Sequence, residues 1–458
     1  MKVIVCGAGQ VGFNIARYLS NEDNDVTVID QRADLIRKMS DTLDVQCVLG
    51  HASHPPVLEQ AGAADADMVI AVTAADEVNM IACQVAHSLF NVPTTIARVR
   101  SQCYLQPIWS SLFRPDHLPI DVIISPEIEV ARSIIRRLQV PGAIEVIPLA
   151  RDKVRLIGVR CTEDTPLVNT PLRQLTVLFP DLNIVVVGIV RGGRAIVPTA
   201  EDQMLAGDEV LFVVDTQHIA RAMTAFGHEE PEARSIVIFG GGNIGQFLAE
   251  QIAALPQGCT VKVIEADRTR AETVAKNLPD HLVLNGDVLD AALLDEANVG
   301  AAETVVAVTN DDETNILSAL LAKRHGAKRV MALVNKTDYG PLMSTLGIDV
   351  VISPRAITVS NILHHVRRGR IHSVHSIHEG FGELIEADAM ETSPLVGKPL
   401  KEIKLPNGVL MGAVVRNDKV ISPRGTTVVQ SGDRVVLFAA TDAVKKVEKM
   451  FSVRLEYF

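Results

Sequence analysis

Three glycines spaced as GxGxxG, Gly7, Gly9 and Gly12, follow the β-branched run KVIVC and open the amphipathic stretch QVGFNIARYL. A second trio, Gly240, Gly242 and Gly245, follows SIVIF and opens NIGQFLAEQI. In a strand–turn–helix of this kind the first glycine permits the tight turn. The second lets the backbone approach a pyrophosphate, and the third lets the helix pack on the strand. Free N–H groups and the positive end of the helix dipole then face the anion. The chemistry implied is backbone binding of a phosphate-bearing nucleotide. The groups concerned are those of Gly7, Ala8, Gly9, Gln10, Val11 and Gly12, and again of Gly240, Gly241, Gly242, Asn243, Ile244 and Gly245. An acidic residue ends the next β-branched run in each case, Asp30 in DVTVID and Glu265 in TVKVIE. A carboxylate there accepts from ribose hydroxyls and repels a 2′-phosphate, which favours NAD(H) or an adenosine phosphate over NADP. The competing reading is a Rossmann-like turn kept for the fold after its ligand was lost.

The elements around the turns are written twice. VIAVTAADEVNMIACQVA (residues 69–86) corresponds to VVAVTNDDETNILSALLA (305–322), and IDVIISPE (120–127) to IDVVISPR (348–355). TPLVNTPLRQL (165–175) corresponds to SPLVGKPLKEI (393–403), and GDEVLFVV (207–214) to GDRVVLFAA (432–440). The order is the same throughout, so the chain is a duplicated pair of domains rather than a solenoid. In the first part of each copy, short β-branched runs alternate with amphipathic stretches, which predicts a doubly wound parallel α/β sheet. The second part is shorter, richer in strands, and reads as a small α+β module. The expected boundaries are 1–139 and 229–370 for the Rossmann-like lobes, with 140–228 and 371–458 for the modules that follow them.

The two sites differ in their charges. Aligning IARVRSQCY (96–104) with MALVNKTDY (331–339) sets Arg98 against Leu333 and Arg100 against Asn335. Only the first copy therefore carries guanidinium groups at that strand end, where they can meet a phosphate or face water. LGHAS against NGDVL sets His51 against Asp287.

Composition narrows the class. The 458 residues are 47% hydrophobic and 22% charged, as folded material is, and the length calls for several domains. A net charge of −11 with one Trp and four Tyr argues against nucleic-acid binding. Six scattered cysteines without a CxxC pair suggest a reducing cytosol. No apolar run approaches the roughly 18 residues that span a bilayer. An oxidoreductase would need a general acid or base beside the nicotinamide. Residues 151–226 hold one Lys (Lys153), one His (His218) and no clustered catalytic constellation, and the module is itself duplicated. A ligand-responsive assembly fits that plan better than an NAD-dependent oxidoreductase does. A nucleotide-sensing scaffold for some other partner is the third reading.

These residues carry a resemblance. GAGQVG with Asp30, VIAVTAADEVNMIACQVA, IDVIISPE, TPLVNTPL and AGDEVLF, with their second-half counterparts, resemble the RCK (KTN) domains that regulate potassium transport. The resemblance covers essentially the whole chain. It implies Rossmann-like lobes that bind NAD(H), with ATP or ADP as alternative ligands. It further implies a homotetrameric ring in the cytosol, peripheral to the inner face of the cell membrane through a membrane-embedded potassium channel subunit, and no enzyme activity. The family motif carries the nucleotide role onto the first turn with Asp30, Thr73, Ala74 and Arg98, and onto the second with Glu265, Thr309 and Asn310. His51 departs from the GDA(T) pattern at its position, where the second copy has Asp287.

Three further features invite functional readings. Five of the thirteen histidines fall between 364 and 378, beside Arg367, Arg368 and Arg370, as a metal or pH site or as a solvated junction. Cys6 lies by the first turn, where packing is the simpler role. The insertion PIWSSLFRPDHLP (107–119), absent from the second copy, holds the only Trp and reads as an interface or a locally packed loop.

Overall fold

In a computed structural model the chain is described for all residues except 23, 180–181, 256–257, 337–338, 367–370 and 452–458. Arg367, Arg368 and Arg370 thus lie outside the described residues. The sequence expectation of two Rossmann-like lobes, each followed by a smaller strand-rich module, holds.

Strands β1 (Lys2–Cys6), β2 (Asp25–Asp30), β3 (Gln46–Leu49), β4 (Met68–Ala71), β5 (Thr95–Arg98) and β6 (Val122–Ile124) form one sheet. Its order is β3-β2-β1-β4-β5-β6 and every pairing is parallel. Strand order reverses between β1 and β4, the position where doubly wound sheets bind ligands. The strands are short β-branched runs buried on both faces, as parallel strands covered by helices must be. Next come β7 (Glu145–Leu149), β8 (Val154–Arg160), β9 (Ile184–Arg191), β10 (Arg194–Ile196) and β11 (Glu209–Asp215), an antiparallel sheet ordered β10-β9-β11-β8-β7.

The second copy repeats the plan. Strands β12 (Ser235–Phe239), β13 (Thr260–Glu265), β14 (Leu282–Asn285), β15 (Thr304–Ala307), β16 (Arg329–Leu333) and β17 (Val350–Ile352) form the parallel sheet β14-β13-β12-β15-β16-β17. The antiparallel sheet β18-β19-β22-β20-β21 follows, from β18 (Ile371–Ile377), β19 (Gly382–Asp388), β20 (Val409–Arg416), β21 (Lys419–Ile421) and β22 (Arg434–Ala440).

Repeat boundaries and packing boundaries do not coincide. One compact unit comprises Met1–Val130 with Ser353–Val366, the other Ala131–Ile352 with Arg367–Phe458. In the first unit the helix Pro354–Val366 packs on the opening sheet: Ile362, Leu363 and Val366 share a core with Val3, Val5, Ile15 and Leu19. In the second unit the end of the helix Pro126–Leu138 is held by the later Rossmann-like lobe. Arg329, at the start of β16, donates to the carbonyl oxygens of Arg137 (3.1 Å) and Ala143, and burial lowers its pKa to about 10. Also in that unit, the two antiparallel sheets share one apolar core. Leu156, Leu211 and Val213 from one meet Leu384, Val436 and Phe438 from the other.

Charged cross-strand pairs stitch each small sheet. Arg160 faces Glu209 across β8 and β11 and pairs with it. Asp388 faces Arg434 across β19 and β22, at 3.0 Å. The insertion at 107–119 forms a short 3-10 helix, Pro107–Phe113, in which Phe113 packs on the core while Ile108 and Trp109 are exposed. Cys6 is fully buried in that same core, and its thiol is pushed up to about 12 by desolvation, consistent with a packing role.

Candidate functional site: two nucleotide turns

Two of the three glycines in each turn are dictated by the fold itself. Gly7 has φ +114° and donates its N–H to Ile29 O at 2.7 Å; a Cβ there would come within 3.0 Å of Thr73 N. A Cβ on Gly12 would lie 1.8 Å from Gly7 O. Gly240 (φ +102°) and Gly245 repeat both constraints, against Thr309 N at 3.0 Å and Gly240 O at 1.8 Å. The middle glycines differ. Gly9 and Gly242 have φ of −68° and −67°, open to any residue, and a Cβ on either would meet nothing within 4 Å. Neither packing nor backbone conformation requires glycine there, whereas close approach of a ligand would.

Both middle glycines cap a helix, Gln10–Asn21 and Asn243–Ala253, with no side-chain cap and no acidic residue in the first turn. The first N–H groups of those helices have no intrahelical acceptor and suit an anion. Gln10 and Asn243 are exposed, Val11 and Ile244 half-buried.

The acidic residues brace the turns. Asp30 accepts from Ala8 N (2.7 Å) through Oδ2 and from Arg32 N (2.8 Å) through Oδ1. Glu265 accepts from Gly241 N (2.7 Å) through Oε2 and from Asp267 N (2.9 Å) through Oε1. A carboxylate oxygen accepts two hydrogen bonds, so a ribose hydroxyl still fits beside these. The copies also exchange one carbon. A Cβ on Gly241 would sit 3.3 Å from Glu265 Cβ, whereas the first copy has Ala8 against the shorter Asp30.

A buried polar floor lies beneath. Asn79 accepts from Thr73 N (2.8 Å) and Oγ1 (2.7 Å) and donates to Arg98 O (2.9 Å). Asp76 accepts from the N–H groups of Arg100 (2.9 Å) and Ser101 (2.8 Å). Asn315 and Asp312 do the same for Thr309, Leu333, Asn335 and Lys336. Thr73 and Thr309 are thereby fixed beside the turns, with Ala74 and Asn310 next to them and exposed. Asp76 and Asn79 were absent from the sequence expectations. Their signal was DExN, written at the same place in both copies (76–79 and 312–315).

The copies part at the ends of β5 and β16. Arg98 ends β5; its Nε is buried with no hydrogen-bond partner among the described residues, and desolvation lowers its pKa. A buried, unpartnered guanidinium nitrogen at the C-terminal end of a parallel strand is suited to an incoming phosphate oxygen. Arg100 instead donates to Glu127 Oε1 at 2.9 Å, so an intramolecular carboxylate already takes its Nε. In the second copy Leu333 is buried and Asn335 donates to Asp312 at 2.9 Å. His51 is half-buried, hydrogen-bonded through Nδ1 to Ser53 Oγ (2.9 Å) and stacked on His54 at 4.7 Å. Asp287 is exposed and accepts from Leu289 N at 2.9 Å within its own loop.

Comparison with known proteins follows the same division. The TrkA-N domain family matches residues 3–126 and 236–354, and the TrkA-C domain family matches 156–227 and 384–452. The chain belongs to the TrkA family. It is 52% identical over 458 residues to the Trk system potassium uptake protein TrkA of Azorhizobium caulinodans, all of both chains being covered. It is 44% identical over 455 residues to the protein of that name from Vibrio alginolyticus, with 98% of each covered. Among solved structures it resembles the GsuK RCK domain with TM-score 0.60 at 19% identity, covering 99% of this chain and 95% of that one. The GsuK channel bound to NAD gives TM-score 0.59 at 19% identity, with 99% and 79% covered. Identities this low speak to the fold alone. The TrkA-N matches take in both glycine turns, and the TrkA-C matches take in most of both antiparallel sheets.

Proposed function

We propose that this chain is a nucleotide-sensing regulatory subunit of potassium uptake. Four copies form a cytosolic ring on a membrane-embedded Trk-type potassium channel subunit, and bound NAD(H), ATP or ADP sets the ring's shape. The observation that carries the reading is the pair of middle glycines, Gly9 and Gly242, where neither backbone conformation nor packing requires glycine and a side chain would point into open space. The names of the full-length relatives support the link to potassium uptake. Among the described residues no helix is long and apolar enough to cross a membrane, so the pore is assigned to a partner.

The nucleotide supplies phosphates and a ribose. The backbone N–H groups at Gly9–Gly12 and Gly242–Gly245 hold the former, and Asp30 and Glu265 orient the latter while bracing the turn. Arg98 adds a guanidinium in the first site alone. A ligand shifts a conformational equilibrium only by its difference in affinity between the two shapes. Two unequal sites therefore let the ratio of two nucleotides, rather than either concentration, set the state.

Calorimetric titration of the full chain with NADH, NAD, ATP and ADP tests this. Arg98→Leu, which installs the residue of the second copy, is expected to weaken one binding event by about tenfold, the loss of one charge-assisted hydrogen bond, and to leave the other unchanged. Absence of binding by all four nucleotides overturns the proposal. Turnover of NADH with a carbonyl substrate would instead establish an oxidoreductase.

A further inference from the structure

Where the two antiparallel sheets meet, the duplicated halves treat equivalent positions in opposite ways. On one side is a cleft of about 110 Å³. Asn183, Asp215 and His218 from the earlier module and Ser422 from the later one line it, with Val213 and Val420 as apolar walls. All four polar side chains are half-buried. Among the described residues the Asp215 carboxylate uses Oδ1 alone, to cap Gln217 N at 2.9 Å. His218 Nδ1 is buried with no hydrogen-bond partner among the described residues.

The repeat supplies an internal control. In register, Asn183, Asp215 and His218 correspond to Gly408, Ala440 and Ala443, and Ser422 corresponds to Val197. Those counterparts close on one another: a Cβ on Gly408 would lie 2.9 Å from Ala440 Cβ and 3.9 Å from Ala443 Cβ. Phe381 fills what remains. Its ring lies 2.7 Å from where a Cβ on Gly188 would be, and 4.9 Å between centroids from Phe438. Gly188 and Phe438 are the counterparts of Ala413 and Val213, which line the open cleft. The residue that corresponds to Phe381 is Lys153, whose ammonium is drawn to Asp418 at 2.6 Å. One side is thus plugged by aromatic and small apolar residues. The other is left open and lined with polar groups.

We propose that this cleft binds a small organic cation, an amine on a short alkyl body. The lining holds one carboxylate and no Lys or Arg, so its fixed charge favours a cation. Asp215 Oδ2, the Asn183 amide oxygen and the Ser422 hydroxyl are acceptors for an ammonium, and Val213 and Val420 flank an alkyl chain. The site shares no residue with either glycine turn and does not rest on the nucleotide reading. A ligand here would touch both modules at once and so bias how tightly they are joined.

The test is calorimetric titration of the full chain with putrescine and n-butylamine, using butane-1,4-diol and butyrate as neutral and anionic counterparts of similar size. The amines are expected to bind and the other two are not. Asp215→Asn keeps the cap on Gln217 and is expected to weaken amine binding about tenfold or more. Asp116→Asn, an exposed carboxylate in the 107–119 insertion, controls for overall charge and is expected to change nothing. Failure of both amines to bind, equal binding of the diol, or unaltered binding by Asp215→Asn each overturns the proposal.

Discussion

The first and second glycine turns share a frame and differ in what they show a ligand. Gly7 and Gly12 match Gly240 and Gly245 to within a tenth of an ångström in the contacts a Cβ would make, and Asn79 and Asn315 bond the same backbone groups. Arg98 against Leu333, and Ala8 with Asp30 against Gly241 with Glu265, are where they diverge. What the copies keep is what the strand–turn–helix needs to fold. What they vary lies where a ligand would sit.

The sharpest way to break that division is through the glycines. Gly12→Ala and Gly245→Ala force a methyl against a carbonyl oxygen, and each is expected to destabilise its lobe by about 1–3 kcal/mol or more, read by urea unfolding. Gly9→Ala and Gly242→Ala are expected to cost less, about 1 kcal/mol or under, because their backbone conformation suits alanine and only the helix cap is weakened. They should nevertheless cut nucleotide affinity in titration. Wild-type binding by Gly9→Ala would mean that the frame and the ligand surface are not separable as described.

A smaller effect probes the exchanged carbon. Asp30→Glu alone overfills the first turn and is expected to cost about 1–2 kcal/mol, while Ala8→Gly alone leaves a gap. Together they recreate the second copy's pair, and a double-mutant cycle should recover about 1 kcal/mol of coupling. Strict additivity would show that the two positions do not share space.

The smallest effect is the acid sensitivity contributed by one carboxylate of the second copy. Glu313 is held at about 2 by hydrogen bonds from Lys336 (2.6 Å) and Tyr339 (2.8 Å); in the first copy Ser101 stands where Lys336 does. Its folded pKa lies below its usual value, so the stabilisation is complete above about pH 4.5 and is lost as pH falls toward 2. Glu313→Gln should flatten the acid-unfolding profile in that window.

The fold was legible because its signals are local and doubled. Glycine spacing, β-branched runs and DExN each recur in both copies at matching places. The packing of the helix Pro354–Val366 on the opening sheet was not legible. Ile362, Leu363 and Val366 announce that a face is buried without saying against what. The partner of Arg100 was not legible for a similar reason: Glu127, which takes its Nε, lies 27 residues on. His218 looked isolated in sequence because the cleft that it lines with Asp215 is completed by Ser422, far along the chain.

The cross-strand pairs Arg160–Glu209 and Asp388–Arg434 occupy equivalent register positions with the charges reversed. A chain that carries two near-identical sheets risks assembling them from the wrong halves while it folds. Pairing β8 with β22 would set Arg160 opposite Arg434, and pairing β19 with β11 would set Asp388 opposite Glu209. Like charges opposed across a ladder destabilise it. The reversal therefore acts as a proofreading mark, penalising the two mistakes that gene duplication made available.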